Sequence, residues 1–63
     1  MLYHEYDQFW DAVCEVVQAD LCEQKAHGYA VMLTEITGTT EPVSNIKQHI
    51  LLQAKEVKER AVC

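Results

Sequence analysis

Six side chains of this 63-residue chain are of types that bind metal ions or act as nucleophile and base: His4, His27, His49, Cys14, Cys22 and Cys63. Two ligands of one metal on a helix lie three or four residues apart, and no two of these residues have that spacing. On a helix, Cys14 and Cys22 point about 80° apart, and Cys22 and His27 about 140° apart. We therefore predict no metal site.

Nucleophilic catalysis needs a thiol or hydroxyl with a base in reach and a cleft that holds the substrate. A chain of two helices offers little concavity. Gly28 and Gly38 stand alone and form no phosphate-binding loop. We predict that the protein is not an enzyme and binds no cofactor.

Side chains that often contact bases or phosphates occur at the start of the second predicted helix: Ser44, Asn45, Lys47 and Gln48. They suggest a helix-turn-helix regulator whose DNA-binding helix starts at Pro42. The turn from Gly38 to Val43 is longer than usual for that motif, and the acidic first part of the chain would repel phosphate. DNA binding is therefore the alternative function, and the residues argue against nucleic acid as the main partner.

The aromatic cluster near the amino end is the strongest functional feature. At 100° per residue, apolar side chains fall in an arc about 100° wide. This arc contains Tyr3, Tyr6, Trp10, Val13, Cys14, Val17 and Leu21, with Leu2, Phe9 and Val16 extending one side. The cluster is either core or an interaction surface, because Trp and Tyr contribute strongly where proteins meet. We predict a partner or dimer interface at Tyr6, Phe9, Trp10, Val13 and Val17, with Trp10 largely removed from water if it is core.

The positions of these side chains depend on two predicted helices. The first runs from about residue 3 to 36, and Gly28 either lies inside it or ends it as a left-handed cap. A short strand at 29–36 is the competing interpretation, but it has no partner strand. Residues 37–41 form the turn, where three threonines, a glycine and a following proline break the pattern. The second helix runs from about 42 to 61, with a stripe of apolar residues at three- and four-residue spacings: Val43, Ile46, Ile50, Ala54, Val57 and Ala61.

This pattern predicts an all-α fold, a helical hairpin of two amphipathic helices in a single domain of residues 1–63. The apolar surface that so short a chain can bury only about offsets the entropy lost on folding. The apolar side of the first helix is also wider than one partner helix covers. We therefore predict a homodimer that forms a four-helix arrangement.

The net charge of −5 is uneven, since residues 1–41 hold eight acids against Lys25, while residues 42–63 carry four basic side chains and two acids. This distribution favours antiparallel packing of the two parts and disfavours contact with an anionic membrane. The odd cysteine count indicates free thiols in a reducing compartment. No signal peptide is expected, since Glu5 and Asp7 lie where a basic segment would be, and no apolar run is long enough to span a membrane. We expect a cytoplasmic protein.

In size, acidity and its aromatic opening MLYHEYDQFW, the chain resembles the short acidic helical proteins of the early accessory region of lambdoid bacteriophages, between the exonuclease and excisionase genes. The resemblance implies a regulator that modulates host physiology or phage development through contacts with host or phage proteins. The segment ADLCEQ is similar to one in the plasmid copy-number regulators, which are helical hairpins that dimerise. Those proteins bind RNA through a basic face, whereas residues 1–30 are acidic here.

Overall fold

The computed structural model describes residues 5–62, with side chains described for residues 5–60. It contains three helices, α1 (Asp7–Gln18), α2 (Glu23–Thr37) and α3 (Val43–Val62), and no strand within the described range. The predicted all-α class is confirmed. The predicted two-helix hairpin is wrong, because the long first helix is divided into α1 and α2. A four-helix dimer made from two such hairpins therefore has no support.

The α1–α2 turn, residues 19–22, causes this difference. The Leu21 N–H donates to the Val16 carbonyl at 2.9 Å, and the Asp20 N–H donates to the Val17 carbonyl at 3.1 Å. This pair of bonds is a Schellman motif, which ends a helix by placing the next residue in the left-handed conformation. Glycine usually occupies that position, but here Asp20 has φ 59° and Leu21 has φ 61°. The left-handed conformation costs an ordinary residue about 1–2 kcal/mol, less for Asp, so the turn is under backbone strain.

The chain remains helical through Gly28 in α2, so the helix continues across this glycine and the alternative strand at 29–36 is excluded. No other helix approaches Gly28 closely. Gly28 is exposed, and a Cβ atom added there would meet nothing within 4 Å.

The predicted break after α2 is confirmed. Gly38 caps α2 in the left-handed conformation with φ 66°, and its N–H donates to the Thr34 carbonyl at 3.0 Å. The Thr39 hydroxyl accepts a hydrogen bond from the Glu41 N–H at 3.2 Å and so shapes the turn. Pro42 precedes α3, and its carbonyl accepts bonds from the first turn of that helix. The second helix therefore begins within a residue of its predicted start.

The core lies where the three helices meet, and each helix contacts the other two. Ten hydrophobic side chains are buried there: Phe9, Ala12, Val13 and Val16 from α1, Ala26, Ala30 and Leu33 from α2, and Ile46, Ile50 and Ala54 from α3. The alanines let the helix backbones approach, and the larger side chains fill the space between them. The fold positions one face of α1 beside α3, where the candidate site lies.

Candidate interaction groove between the first and third helices

The five residues predicted as an interface divide between the core and the surface. Phe9 and Val13 are buried, and Tyr6 and Val17 are half-buried. Trp10 retains 46% exposure, so the interpretation that placed it in the core is wrong. The buried face of α1 is centred nearer Phe9 and Val16, on the side that the sequence pattern treated as the edge of the apolar arc.

The Phe9 and Trp10 rings form the base and one wall of an open groove. Their centroids are 5.0 Å apart and their planes are at 81°, an edge-to-face contact. His49, Leu52 and Gln53 of α3 line the rest of the groove, which has a volume of about 430 Å³. We call this surface the α1–α3 groove. Because Phe9 is anchored in the core, the Trp10 ring is supported on one side and accessible on the other.

Leu52 is the second apolar side chain accessible in the α1–α3 groove, with 54% exposure. A shallower depression continues from it along α3 past Gln48 and Lys55 and shares His49 and Leu52 with the groove. The accessible surface is therefore an apolar centre bordered by polar side chains. Protein-binding sites commonly have this arrangement, with an aromatic anchor in the middle.

Charged residues of α1 lie beside this groove. Asp7 and Asp11 are exposed, and Asp7 is three residues before Trp10, one turn away on the helix surface. A partner that covers Trp10 would meet negative charge along α1. Basic side chains around an apolar anchor would complement this surface.

A second set of exposed apolar side chains lies on α2, at Val31, Met32 and Ile36. None of the three lines the α1–α3 groove. Met32 borders a separate depression with Cys22, and that depression has no tryptophan. The α1–α3 groove is therefore the better candidate for recognition.

The ion pairs connect the acidic and basic parts of the chain. The Lys58 ammonium donates to the Asp20 carboxylate, so α3 contacts the α1–α2 turn. Its hydrogen bond and positive charge lower the pKa of Asp20 below the ordinary value. Lys25 and Glu15 form a longer pair, with Nζ and Oε2 3.7 Å apart. All four side chains are at least 40% exposed to solvent, so solvent screens both pairs.

The histidines and cysteines considered for metal binding do not come together in the part of the chain that the structure describes. Cys14 is exposed and Cys22 is half-buried, and both are free thiols. Within residues 5–62, no group of three or more His, Cys, Asp and Glu side chains is arranged to hold a metal ion. His4, Cys63, Leu2 and Tyr3 lie outside the described residues. The absence of a metal, a cofactor and enzymatic activity stays a prediction.

The polar residues considered for DNA binding lie at the start of α3. Ser44, Asn45 and Gln48 are exposed, while Lys47 is half-buried. Lys58, nearer the end of α3, already pairs with Asp20. The start of α3 thus presents neutral hydrogen-bonding groups with little free positive charge.

Sequence reasoning missed Leu52, His49 and Gln53 as groove residues. The predicted apolar stripe of α3 is correct at Ile46, Ile50 and Ala54, which are all buried, and wrong at Val57, which is exposed. Leu52 lies about 200° from Ile50 around the helix, so it is an apolar residue on the polar face. The sequence signal that could have identified Leu52 was an apolar side chain outside the predicted apolar stripe.

No described helix is long and apolar enough to cross a membrane. Comparison of the chain with protein-family models, with curated proteins and with solved structures finds no match.

Proposed function

We propose that this chain is a non-enzymatic regulatory protein that acts by binding another protein, and that the α1–α3 groove is its contact surface. The observation that carries the proposal is the exposure of Trp10, which is 46% accessible and rests edge-to-face on the buried Phe9 ring. A tryptophan held in this way makes a large apolar contact and loses little conformational entropy on binding.

The exposed areas set the scale of the interaction. A partner that covers Trp10 and Leu52 would remove roughly 200 Å² of apolar surface from water, worth about 5 kcal/mol at about 25 cal/mol per Å². Association itself costs several kcal/mol. The two side chains are therefore sufficient as a central anchor, and the polar border must contribute further contacts.

The partner that fits this surface is a protein segment with an apolar side chain for the groove and basic residues facing Asp7 and Asp11. The sequence resemblance to accessory proteins of lambdoid bacteriophages favours a bacterial or phage protein, through which the chain would modulate host physiology or phage development.

The decisive experiment compares three variants that each remove one exposed apolar side chain. Partners captured from the source cells by the wild-type protein are purified and titrated against Trp10→Ser, Leu52→Ser and the control Ile36→Ser. Ile36 matches Trp10 in exposure at 46% but lies on α2, outside the groove. We expect Trp10→Ser and Leu52→Ser to weaken binding at least about tenfold, a cost of 1.4 kcal/mol or more, with Ile36→Ser near wild type. Equal affinities of all four proteins would refute the role of the groove.

We also propose that the chain forms a homodimer. A 63-residue chain has a small core, and six large hydrophobic side chains of the described residues remain exposed. Burying some of them against a second copy would stabilise the folded state. Sedimentation equilibrium and the concentration dependence of the melting temperature test this. A monomer at all concentrations, with a constant melting temperature, would exclude the dimer.

Direct DNA binding through the start of α3 is the alternative function. The exposure of Ser44, Asn45 and Gln48 on adjacent turns favours it. A mobility-shift assay at low and physiological salt, run with Asn45→Ala and Lys47→Ala, distinguishes the two functions. Specific, salt-sensitive binding that these substitutions abolish would support DNA recognition over protein binding.

A further inference from the structure

The α1–α2 turn has an unusual combination of properties. It reverses the chain with two consecutive left-handed residues, Asp20 and Leu21, and neither is glycine. Residues 19–22 contain no proline either, and Ala19 and Leu21 are good helix formers. The closed turn is therefore strained, while the same residues can adopt helical backbone angles.

The start of α2, at this turn, has no side-chain cap. Cys22, before α2, makes no side-chain capping bond. Asp20 accepts a hydrogen bond from Lys58, a residue of α3 outside the turn. The Asp20 side chain is 84% exposed. Solvent competes with such a contact, so the ion pair adds little to the packing of Leu21 against the core and to the backbone hydrogen bonds that close the turn.

Within one chain, the core face of α1 is buried only while the turn is closed. Phe9, Ala12, Val13 and Val16 are buried against α2 and α3. If residues 19–22 became helical, α1 would move away from its own α3 and expose this face. The surface that matches it is the α2–α3 surface of a second copy, which would lack its own α1 for the same reason.

We propose that the homodimer forms by reciprocal exchange of α1 between two copies, with the α1–α2 turn as the hinge. Each α1 packs on the partner's α2 and α3 and remakes the contacts of the closed chain, and the exchange releases the strain at Asp20 and Leu21. Exchange of identical elements is an accessible route to a dimer, because no new complementary surface is needed. This inference rests on the homodimer proposed above.

Glu23→Pro is the most direct test. Glu23 is the first residue of α2, where a folded-back helix has no acceptor for its N–H, and proline is favoured there. Cys22 before it has φ −68° and ψ 118°, the extended conformation that a residue before proline adopts. The closed chain therefore accepts proline at position 23. A helix that continued through the hinge would lose a hydrogen bond and gain a steric clash.

The comparison uses wild type, Glu23→Pro and the control Glu23→Ala in sedimentation equilibrium, with circular dichroism for helix content. We expect Glu23→Pro to weaken dimerisation at least about 100-fold with its helix content retained, because proline strongly disfavours a helix interior. Glu23→Ala should dimerise as tightly as wild type or more tightly. If Glu23→Pro dimerises like wild type, the dimer forms without exchange and the inference is wrong. If wild type is monomeric throughout, both the dimer and the exchange are wrong.

A second pair of variants separates the effect of backbone strain at the turn from the effect of the Asp20–Lys58 ion pair. Asp20→Ala removes the residue that tolerates the left-handed conformation together with the ion pair, while Lys58→Gln removes the ion pair alone. We expect Asp20→Ala to dimerise about tenfold more tightly than Lys58→Gln. Equal dimerisation of the two variants would contradict the role of strain in the exchange.

A distance measurement decides the question if Glu23→Pro fails to fold. Spin labels on Asp11→Cys and Val31→Cys, with the native cysteines replaced by serine, report the separation of α1 and α2 within one chain. Labelled chains are diluted into excess unlabelled protein. A continuous helix separates the two positions by about 30 Å, whereas in the folded-back chain the two helices are in contact. A single short distance at dimer-forming concentrations would overturn the exchange.

Discussion

The adjacent aromatic residues Phe9 and Trp10 should differ sharply in their contribution to stability. Phe9 is 1% exposed and belongs to the core, while Trp10 is 46% exposed. Truncating a large buried aromatic side chain costs about 3–5 kcal/mol, so we expect that cost for Phe9→Ala. Trp10→Ala loses about half of such a burial, which gives roughly 1.5–2.5 kcal/mol. Both variants lose the edge-to-face contact, so that term does not distinguish them.

These losses are large compared with the free energy of unfolding of so short a chain. At 0.05–0.15 kcal/mol per residue, a chain of this length is stable by roughly 3–9 kcal/mol. Against the middle of that range, about 6 kcal/mol, Phe9→Ala should therefore lose half or more of the stability, whereas Trp10→Ala should lose less than half and unfold cooperatively at a urea concentration between those of Phe9→Ala and wild type. Urea titrations followed by far-UV circular dichroism, at a concentration where association is absent, measure both differences.

Fluorescence gives an independent check, since Trp10 is the single tryptophan of the chain. Native emission should be accessible to iodide, and less so after a partner binds. If Trp10→Ala destabilises the chain as much as Phe9→Ala, or if native emission is blue-shifted and protected from iodide, the assignment of Trp10 to the surface is wrong.

Three further outcomes are expected. Gly38→Ala should destabilise the fold by about 1 kcal/mol or more, because Gly38 has the left-handed φ of 66°. Gly28→Ala should stabilise the fold by up to about 1 kcal/mol, because Gly28 lies in a helix interior with open space around it. Thermal melts of the two variants measure both effects. Ala30→Leu should cost about 1–3 kcal/mol by overpacking a fully buried position, and a urea titration measures the loss. The Asp20 carboxyl should titrate below its ordinary pKa. The stability contributed by its ion pair is therefore present at neutral pH and is lost as the pH falls through the lowered pKa. In Lys58→Gln, the Asp20 pKa, followed by carboxyl chemical shifts, should return to the ordinary value.

The sequence predicted much of the helical content and failed at one turn. The break at 37–41 was readable because glycine, proline and three threonines lie within six residues, and the stripe Ile46, Ile50 and Ala54 was readable from its spacing. The α1–α2 turn has no such residue. Asp20 occupies the Schellman position that glycine usually fills, and Val13, Val17 and Leu21 keep helical spacing up to the turn. Periodicity alone cannot show a turn whose own residues continue the period.

The exposure of Trp10 has a related cause. Its large side chain lay at the middle of the predicted arc, which was drawn for a helix facing one partner. In the folded chain α1 packs against both α2 and α3, and the small residue Ala12 joins the buried face. The face in contact with two helices is centred on Phe9, Val13 and Val16, and Trp10 lies at its margin. Which face of a helix is buried depends on how many other helices pack against it. The apolar pattern of one helix does not show that number.

Division of the first helix also changes the reason for expecting a partner. Two long helices could not have covered the aromatic side of the first, so a dimer was needed to complete the core. With α1 folded back, ten hydrophobic residues are buried within one chain. The apolar surface that remains exposed at Trp10 and Leu52 is not part of the core. Its exposure lowers solubility and does not stabilise the monomer. This exposed surface supports the proposed binding of another protein. A second copy is no longer required to complete the core of a single closed chain.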